Sequence, residues 1–137
     1  MIPKRNAVLS LLVLTCAASF GAFADDPSQR PRKPEQLGEV NFPVSCNAAA
    51  QQEFNRGMAL FHSFWHQPSI DSFNKVLQLD PECGMAHWGI AIMSMGNPFT
   101  WPPNPVAMKA AASAMAEAQR VSARSERERD YIAALAV

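Results

Sequence analysis

The sequence predicts an all-α fold built from antiparallel helix pairs. Apolar residues recur at helical spacing in five segments, and no segment forms a credible strand. Short connections rich in proline, asparagine and glycine separate the five segments. Because the turn at residues 67–69 is so short, we expect the first two helices to run antiparallel.

The first 24 residues form a predicted secretory signal peptide and are excluded from the fold. Lys4 and Arg5 precede an apolar run, and the small-x-small sequence Ala22-Phe23-Ala24 supplies a cleavage site. The apolar run is too short for a transmembrane helix. We therefore expect an exported protein, periplasmic or secreted, with no membrane span in its mature chain.

Behind the cleavage site, residues 25–41 are polar and contain three prolines, which predicts a flexible leader. Residues 42–137 are the predicted helical domain. Without Lys4 and Arg5 the exported chain has 10 basic and 12 acidic side chains, a formal charge of −2. This balance gives no electrostatic reason to expect nucleic acid as a partner.

The first two helices have clear boundary signals. Helix one begins after Ser45-Cys46-Asn47, where Ser45 or Asn47 can cap it, and its apolar positions continue to Trp65. We expect Gln67-Pro68 to end it, because proline has no backbone N–H to donate. Asp80-Pro81 then closes the second helix.

The third helix begins around residues 82–84 and stops at Gly96-Asn97-Pro98. Asn104-Pro105 predicts an N-cap and first residue for the Ala-rich fourth helix. Ser125 and Glu128 form a predicted capping box for the fifth helix. Acidic and basic residues alternate over residues 126–130, which predicts a solvated, self-paired face. Since the fifth helix has no terminating signal, we expect the chain to be a fragment of a longer one.

Residues 51–81 resemble a tetratricopeptide repeat. Gly57 stands at the small position of the first helix, Phe73 at the aromatic position of the second, and Pro81 at the closing proline. The sequence "GMAHWGIA" resembles the opening of a second repeat, and "GMALF" at 57–61 matches "GIAIM" at 89–93. The family landmarks give a spacing of 34 residues and the self-match gives 32.

Departures from the family pattern are Glu53 and Arg56, where large apolar residues are usual, and Ser69, where alanine is usual. Together with "FPVSC", "FHSFWH" and "WPP", the pattern is similar to an exported bacterial subgroup of the family whose function is mostly unassigned. The resemblance implies a short α-solenoid of about five helices, in which Gly57 allows close helix approach and Phe73 fills the gap to the next unit.

The resemblance also implies a concave face, lined by successive first helices, that binds a protein or peptide segment. On the 34-residue spacing this face comprises Phe54, Met58, Phe61, His62, Met85, Trp88, Ile92 and Met95. Such an apolar, methionine-bearing groove suits varied partners. The alternative is that the same stripe is core, as helical apolar stripes most often are.

Two cysteines follow the signal peptide, Cys46 and Cys83, and an even pair in an oxidising compartment predicts a disulfide. Both fall near the beginning of neighbouring parallel helices of the repeat, which favours a Cα separation below about 7 Å. The predicted bridge would stabilise the fold by roughly 4 kcal/mol on the chain-entropy estimate.

A soft-metal site is the alternative function. His62 and His66 stand four residues apart, the spacing of two ligands on one helix, and the repeat places Met93 and Met95 nearly level with His62. Imidazole with thioether ligands suits copper. Cys83 and His87 share the four-residue spacing but lie too far along the helix to join that site.

Catalysis has little support in the sequence. No nucleophile, base and orienting residue can be assigned, and Cys83 beside His87 has no identifiable partner of that kind. The six glycines are scattered and form no phosphate-binding loop, so we expect no cofactor. The sequence therefore predicts a non-catalytic scaffold that binds protein or peptide, with copper-type metal binding as the alternative.

Overall fold

The computed structural model describes residues 36–97, 99, 102, 104–121 and 123–136, so the predicted signal peptide and residues 25–35 of the predicted leader lie outside it. Within the described part the regular structure is helical throughout, as predicted. The five helices are α1 (Ala48–His62), α2 (His66–Leu79), α3 (Gly84–Ser94), α4 (Pro105–Val121) and α5 (Glu126–Leu135).

Helices that follow each other in sequence pack against each other: α1 on α2, α2 on α3, and α3 on α4. Helix α5 contacts both α3 and α4, and α1 also contacts α3. Successive helix pairs are thus stacked in the manner of a short α-solenoid, which confirms the predicted fold class. No helix in the described ranges is both long enough and apolar enough to cross a membrane.

The predicted caps explain where three helices begin. The side-chain oxygens of Asn47, Asn104 and Ser125 each accept a backbone N–H from the first turn, at 2.9, 2.9 and 3.3 Å respectively. Each bond satisfies one donor that a helix N-terminus leaves unpaired. The choice between Ser45 and Asn47 is settled in favour of Asn47.

The end of α1 differs from the prediction. The helix stops at His62, because Phe64 takes a left-handed conformation with φ of 57°. The N–H of Trp65 then donates to the carbonyl of Leu60, and that of Phe64 to Phe61, both at 3.0 Å. This bonding is the Schellman motif, in which glycine usually holds the left-handed position. Phenylalanine at that position gave no sequence signal for the helix end.

Pro68 therefore begins a helix and does not end one. Helix α2 starts at His66, so Pro68 is its third residue. A backbone N–H at that position has no partner within the helix, and the missing donor of proline costs nothing there. The interpretation of Gln67-Pro68 as the end of the first helix was wrong.

Phe73 joins the two helix pairs. Its ring is fully buried, and it lies against two glycines at once. A Cβ atom placed on Gly57 of α1 would stand 2.8 Å from the ring, and one on Gly89 of α3 would stand 2.6 Å from it. The glycines are therefore needed for close packing. They are 32 residues apart, which favours the spacing given by the self-match.

Polar contacts complete the α1–α2 interface. The Ser69 hydroxyl donates to the carbonyl of Gly57 at 2.9 Å and is buried. Glu53 accepts from Ser72 and from Lys75 Nζ at 3.0 Å. Burial alone would raise the pKa of Glu53, but the hydrogen bonds from Ser72 and Lys75 and the charge of Lys75 hold it below its ordinary value. Glu53 and Ser69, two of the departures from the tetratricopeptide pattern, thus form a polar seam with Ser72 and Lys75 between the helices.

The predicted disulfide is present between Cys46 and Cys83, with a Cα–Cα distance of 5.3 Å. It ties the residue in front of the α1 cap to the residue in front of α3. Asn47 adds two bonds at the same end of the stack, from its N–H to Asp80 Oδ2 at 2.9 Å and from Nδ2 to the Leu79 carbonyl at 2.7 Å. The disulfide therefore joins the starts of α1 and α3, and the hydrogen bonds join the start of α1 to the end of α2.

Candidate functional site

An extended segment precedes α1 and lies against the helices. We call residues 36–46 the strap. Side chains at alternate positions, Val40, Phe42, Val44 and Cys46, pack against the core, while the intervening Asn41 and Pro43 are exposed. A period of two residues is that of an extended chain with one face buried. The alternation of burial in the strap is thus that of a peptide bound through one face.

Phe42 is the apolar anchor of the strap. Its ring centroid lies 5.6 Å from that of Phe54 on α1, 6.3 Å from that of Trp88 on α3, and 5.4 Å from that of Tyr131 on α5. The rings of Trp88 and Tyr131 also meet, with centroids 5.7 Å apart. Three helices therefore contribute one aromatic ring each to a pocket that Phe42 fills, at separations typical of favourable ring pairs.

Arg127 of α5 closes this pocket from the solvent side. Its guanidinium carbon lies 4.5 Å from the centroid of the Phe42 ring and 5.1 Å from that of Tyr131. The same guanidinium donates through Nη1 to the Pro43 carbonyl at 2.9 Å. One side chain thus makes cation–π contacts and a backbone hydrogen bond to adjacent residues of the strap.

Two amides of α1 bind the strap backbone. Asn55 Oδ1 accepts the Phe42 N–H at 3.2 Å, and Gln51 Nε2 donates to the Phe42 carbonyl at 2.9 Å. Gln51 Oε1 accepts the Val44 N–H at 2.8 Å. The two amides also bond each other across one helical turn at 2.9 Å. This mutual bond fixes their orientation toward the strap.

The strap's last residues are bound by the α5 region. Glu128, only 3% exposed, accepts both the backbone N–H and the hydroxyl of Ser45. Arg124 Nη1 donates to the Ser45 carbonyl at 3.0 Å. The prediction of a solvated charged face was therefore wrong at Glu128, whose carboxylate binds the strap. Half of the predicted capping box remains, the bond from the Glu128 N–H to Ser125.

Seven side chains from α1, α3 and α5 together form what we call the strap face. They are Gln51, Phe54, Asn55, Trp88, Arg127, Glu128 and Tyr131. The face offers acceptors and donors for a backbone, one aromatic pocket and one buried carboxylate. Of its members only Phe54 and Trp88 were predicted as ligand-binding residues.

The predicted ligand-binding residues divide by burial. Four are in the core, namely Phe54, Met58, Met85 and Trp88. Phe61 and Ile92 are half-buried, and His62 and Met95 are exposed. The core members Met58 and Met85 are only 3% and 0% exposed. Met95 lines a second, apolar groove of about 340 Å³ with Met108 and Met115. Burial of four of the eight is what the alternative of a core stripe expects, and ligand binding by the predicted set stays a prediction.

The remaining members of the strap face were missed for a physical reason. Gln51, Asn55 and Arg127 are polar side chains on exposed or half-exposed helix positions, where such residues are ordinary. A signal existed in the four-residue spacing of Gln51 and Asn55, which places two amides on one face of a helix. It becomes informative only once the strap is known to cross that face.

The structure does not give His62 and His66 the geometry of two metal ligands on one helix. His62 is the last residue of α1 and His66 the first of α2, so the two imidazoles do not share one helix. His66 Nδ1 lies 3.4 Å from the carbonyl oxygen of Met93, whose side chain is buried. Among the described residues, no group of three or more His, Cys, Asp or Glu side chains could hold a metal ion. Copper binding by His62, His66, Met93 and Met95 stays a prediction.

His87 faces α4 and is half-buried. Burial lowers its pKa below the ordinary value, the carboxylate of Glu117 opposes that shift, and the guanidinium of Arg120 adds to it. The neutral imidazole is therefore favoured. This environment suits a packing residue at the α3–α4 interface.

No family model, curated protein or solved structure matches the chain.

Proposed function

We propose that the protein is an exported, non-catalytic scaffold of the tetratricopeptide-like kind, which binds an extended segment of a partner protein on the strap face. The observation that carries the proposal is the strap itself. It occupies the face in extended conformation, and its backbone is bound by the side chains of Asn55, Gln51, Arg127 and Glu128.

The contacts indicate what a partner segment needs. Hydrogen bonds to backbone groups place few demands on sequence, so they provide affinity for any extended chain. The aromatic pocket around Phe54, Trp88 and Tyr131 selects one aromatic side chain. Glu128 adds a preference for a hydroxyl three positions after the aromatic residue, where the strap has Ser45. The preferred segment is therefore an aromatic residue followed by any residue, an aliphatic residue and serine or threonine.

A partner binds by displacing the strap, because both need the same groups. The strap is covalently attached, so it competes at an effective concentration on the order of millimolar. Weakening the strap should therefore increase the apparent affinity for a segment added in trans. The signal-peptide pattern and the disulfide support an exported location, since disulfides persist in oxidising compartments.

The experiment measures binding of a fluorescent peptide with the strap sequence EVNFPVS to the exported form of the chain, which begins at Asp25. We expect Phe42→Ala to increase peptide affinity about tenfold over the unmodified chain, because the resident anchor is lost. Adding Gln51→Ala to that variant should abolish the gain. Gln52→Ala is the matched control, because Gln52 is the exposed neighbour of Gln51 on α1.

A second peptide, EVNAPVS, tests the pocket directly and should bind at least tenfold more weakly. If the Phe42→Ala chain shows no saturable binding of EVNFPVS, the strap face is not a peptide site. Binding that is equal for the two peptides, or unaffected by Gln51→Ala, would likewise place the interaction elsewhere.

A further inference from the structure

The last residue of the strap is fixed by contacts outside the strap face. Cys46 is joined by the disulfide to Cys83, which is only 1% exposed. Asn47 follows, and it caps α1 through Oδ1 while its N–H and Nδ2 bind residues at the end of α2. None of these contacts involves a member of the strap face. Displacement of the strap therefore frees the chain up to Ser45 and leaves Cys46 and Asn47 in place.

This arrangement limits how far a partner segment can follow the path of the strap. A segment whose residues take the positions of Phe42 and Ser45 reaches the position of Cys46 at its next step. That position is filled by the protein's own chain, which leads directly into α1. A partner segment must therefore either end at the position of Ser45 or turn out of the path there.

Ser45 is bound by groups of opposite charge at its two backbone atoms. Its N–H donates to the buried Glu128, whereas its carbonyl accepts from Arg124 Nη1 at 3.0 Å. A residue at the carboxyl terminus of a chain has a second oxygen atom and a negative charge in place of that neutral carbonyl. A guanidinium binds a carboxylate through paired, charge-assisted hydrogen bonds. Arg124 therefore suits a terminal carboxylate better than it suits a carbonyl.

The other charges around Arg124 are compatible with such a bond. Its Nη2 lies 3.4 Å from Glu82 Oε2, and the two side chains are 54% and 79% exposed, so this ion pair is weak and competes little for the guanidinium. Arg127 is bound two residues earlier in the strap, at the Pro43 carbonyl. The carboxylate of Glu128 would repel a second carboxylate nearby, and Arg124 is the cation that offsets this repulsion.

We propose that the strap face binds the carboxyl terminus of a partner protein, with the terminal residue at the position of Ser45 and its carboxylate paired with Arg124. The partner is then a chain that ends in an aromatic residue, any residue, an aliphatic residue and serine or threonine. Capture of a terminal carboxylate is a recurring mode of peptide recognition. This inference rests on the proposed function, because it requires that a segment added in trans occupies the strap face.

The test compares three peptides that are labelled at the amino terminus and added to the exported form of the Phe42→Ala chain. They are EVNFPVS with a free carboxylate, the same peptide with a terminal carboxamide, and EVNFPVSGG. We expect the carboxamide to bind about fivefold more weakly than the free carboxylate, because a charged acceptor is lost. EVNFPVSGG should bind at least about tenfold more weakly than EVNFPVS, because its last two residues meet Cys46.

Arg124→Gln identifies the group that binds the carboxylate. In a chain with both Phe42→Ala and Arg124→Gln, the free carboxylate and the carboxamide should bind equally. The ratio of the two affinities is the quantity to measure, because a change in the strap itself affects both peptides alike. Arg120→Gln is the matched control, since Arg120 is exposed and pairs with Glu117, and it should leave the ratio unchanged. Raising the salt concentration should shrink the ratio in the Phe42→Ala chain.

Three results would overturn this proposal while peptide binding at the strap face stands. The carboxamide could bind as tightly as the free carboxylate, so that the carboxyl end is not recognised. The ratio could persist in the Arg124→Gln chain, so that another cation binds the carboxylate. EVNFPVSGG could bind as tightly as EVNFPVS, so that a segment runs on past the position of Ser45. If none of the three peptides binds saturably, the proposed function fails and this inference fails with it.

Discussion

Two phenylalanines hold neighbouring parts of this molecule together in different ways. Phe73 is fully buried between Gly57 and Gly89, and its contacts are made by shape alone. Phe42 is half-buried, and the strap that carries it is held mainly through hydrogen bonds to its backbone and through Arg127. The first lies within a helix, and the second lies on a segment without regular structure.

The difference between the two sites indicates that Phe73 serves the stability of the fold and that Phe42 marks a surface for recognition. A ring enclosed by two glycines has only one position, and no other side chain fills that space equally well. It therefore fixes the stacking of the helix pairs. A ring in an open pocket, with its backbone bound by side chains, uses contacts that another chain could make equally well. The Phe73 site is therefore expected to control stability, and the Phe42 site to control occupancy of the strap face.

The largest effect should come from Phe73→Ala. Removing a fully buried ring leaves a cavity between α1, α2 and α3, and we expect a loss of about 3–5 kcal/mol in the free energy of unfolding. Urea unfolding followed by circular dichroism measures it. Phe99→Ala, which removes an 87% exposed ring, is the control and should change stability by less than about 0.5 kcal/mol. Equal losses in the two variants would refute the role assigned to Phe73.

The next largest effect should follow removal of the disulfide. The bridge closes a loop with a sequence separation of 37, and its loss in a Cys46→Ser, Cys83→Ser variant should cost about 2–4 kcal/mol. The bonds from Asn47 to Asp80 and Leu79 remain, so we expect the native helix content to survive.

The stabilisation by the disulfide can be measured independently, from the free energy of unfolding with and without a reductant. Reductant should lower the stability of the unmodified chain to that of the double variant and leave the variant itself unchanged. An unmodified chain whose stability is insensitive to complete reduction would show that the hydrogen bonds alone hold this end of the stack.

Close packing around Phe73 predicts that Gly89→Ala costs about 1–3 kcal/mol. The new Cβ would stand 2.6 Å from the ring, and the ring cannot retreat because Gly57 backs it on the other side. In a Phe73→Leu background the same substitution should cost less, which a double-mutant cycle of unfolding free energies measures. Gly38→Ala is the control, because no atom lies within 4 Å of its Cβ position. If the effects of the two substitutions on the unfolding free energy were additive, the packing of the Phe73 ring between the two glycines would be contradicted.

Much of the fold follows from local sequence signals. Asn104-Pro105 and Ser125 mark helix starts because a short polar side chain accepts a first-turn N–H wherever the helix later packs. The repeat resemblance predicted that Gly57 allows close helix approach and that Phe73 fills the gap to the next unit. The structure places the Phe73 ring against both Gly57 and Gly89. These features depend on neighbours within the same helix or the same repeat.

What could not be predicted depends on distant contacts. Glu128 alternates with basic residues and resembles a solvated position, yet Ser45, 83 residues earlier, buries it. The strap has no helical pattern, and its contacts come from two separate parts of the chain, Gln51 and Asn55 of α1 and Arg127 of α5. Phe64 ends α1 without the glycine that usually marks such an end. In each case the local pattern permits several environments, and the tertiary fold selects one.

The smallest effect concerns the polar seam that accompanies Phe73. Because the folded pKa of Glu53 lies below its ordinary value of 4.5, the ionised form stabilises the fold at pH values above the unfolded pKa. That contribution should disappear as the pH falls through the folded pKa, so its loss begins below about pH 4.5. At neutral pH we expect Glu53→Gln to lose roughly 1 kcal/mol, because Ser72 and Lys75 lose a charged acceptor.

Comparing the unmodified chain with the Glu53→Gln variant isolates the contribution of the ionised Glu53 side chain to stability. Other carboxylates titrate in the same range, so the quantity to measure is the difference in unfolding free energy between the unmodified chain and Glu53→Gln at each pH. That difference should be largest near neutral pH and shrink in acid. Glu126→Gln, an exposed acid on α5, controls for the removal of one negative charge. A difference that stays constant into acid would mean that the seam stabilises by shape, as Phe73 does, and not by charge.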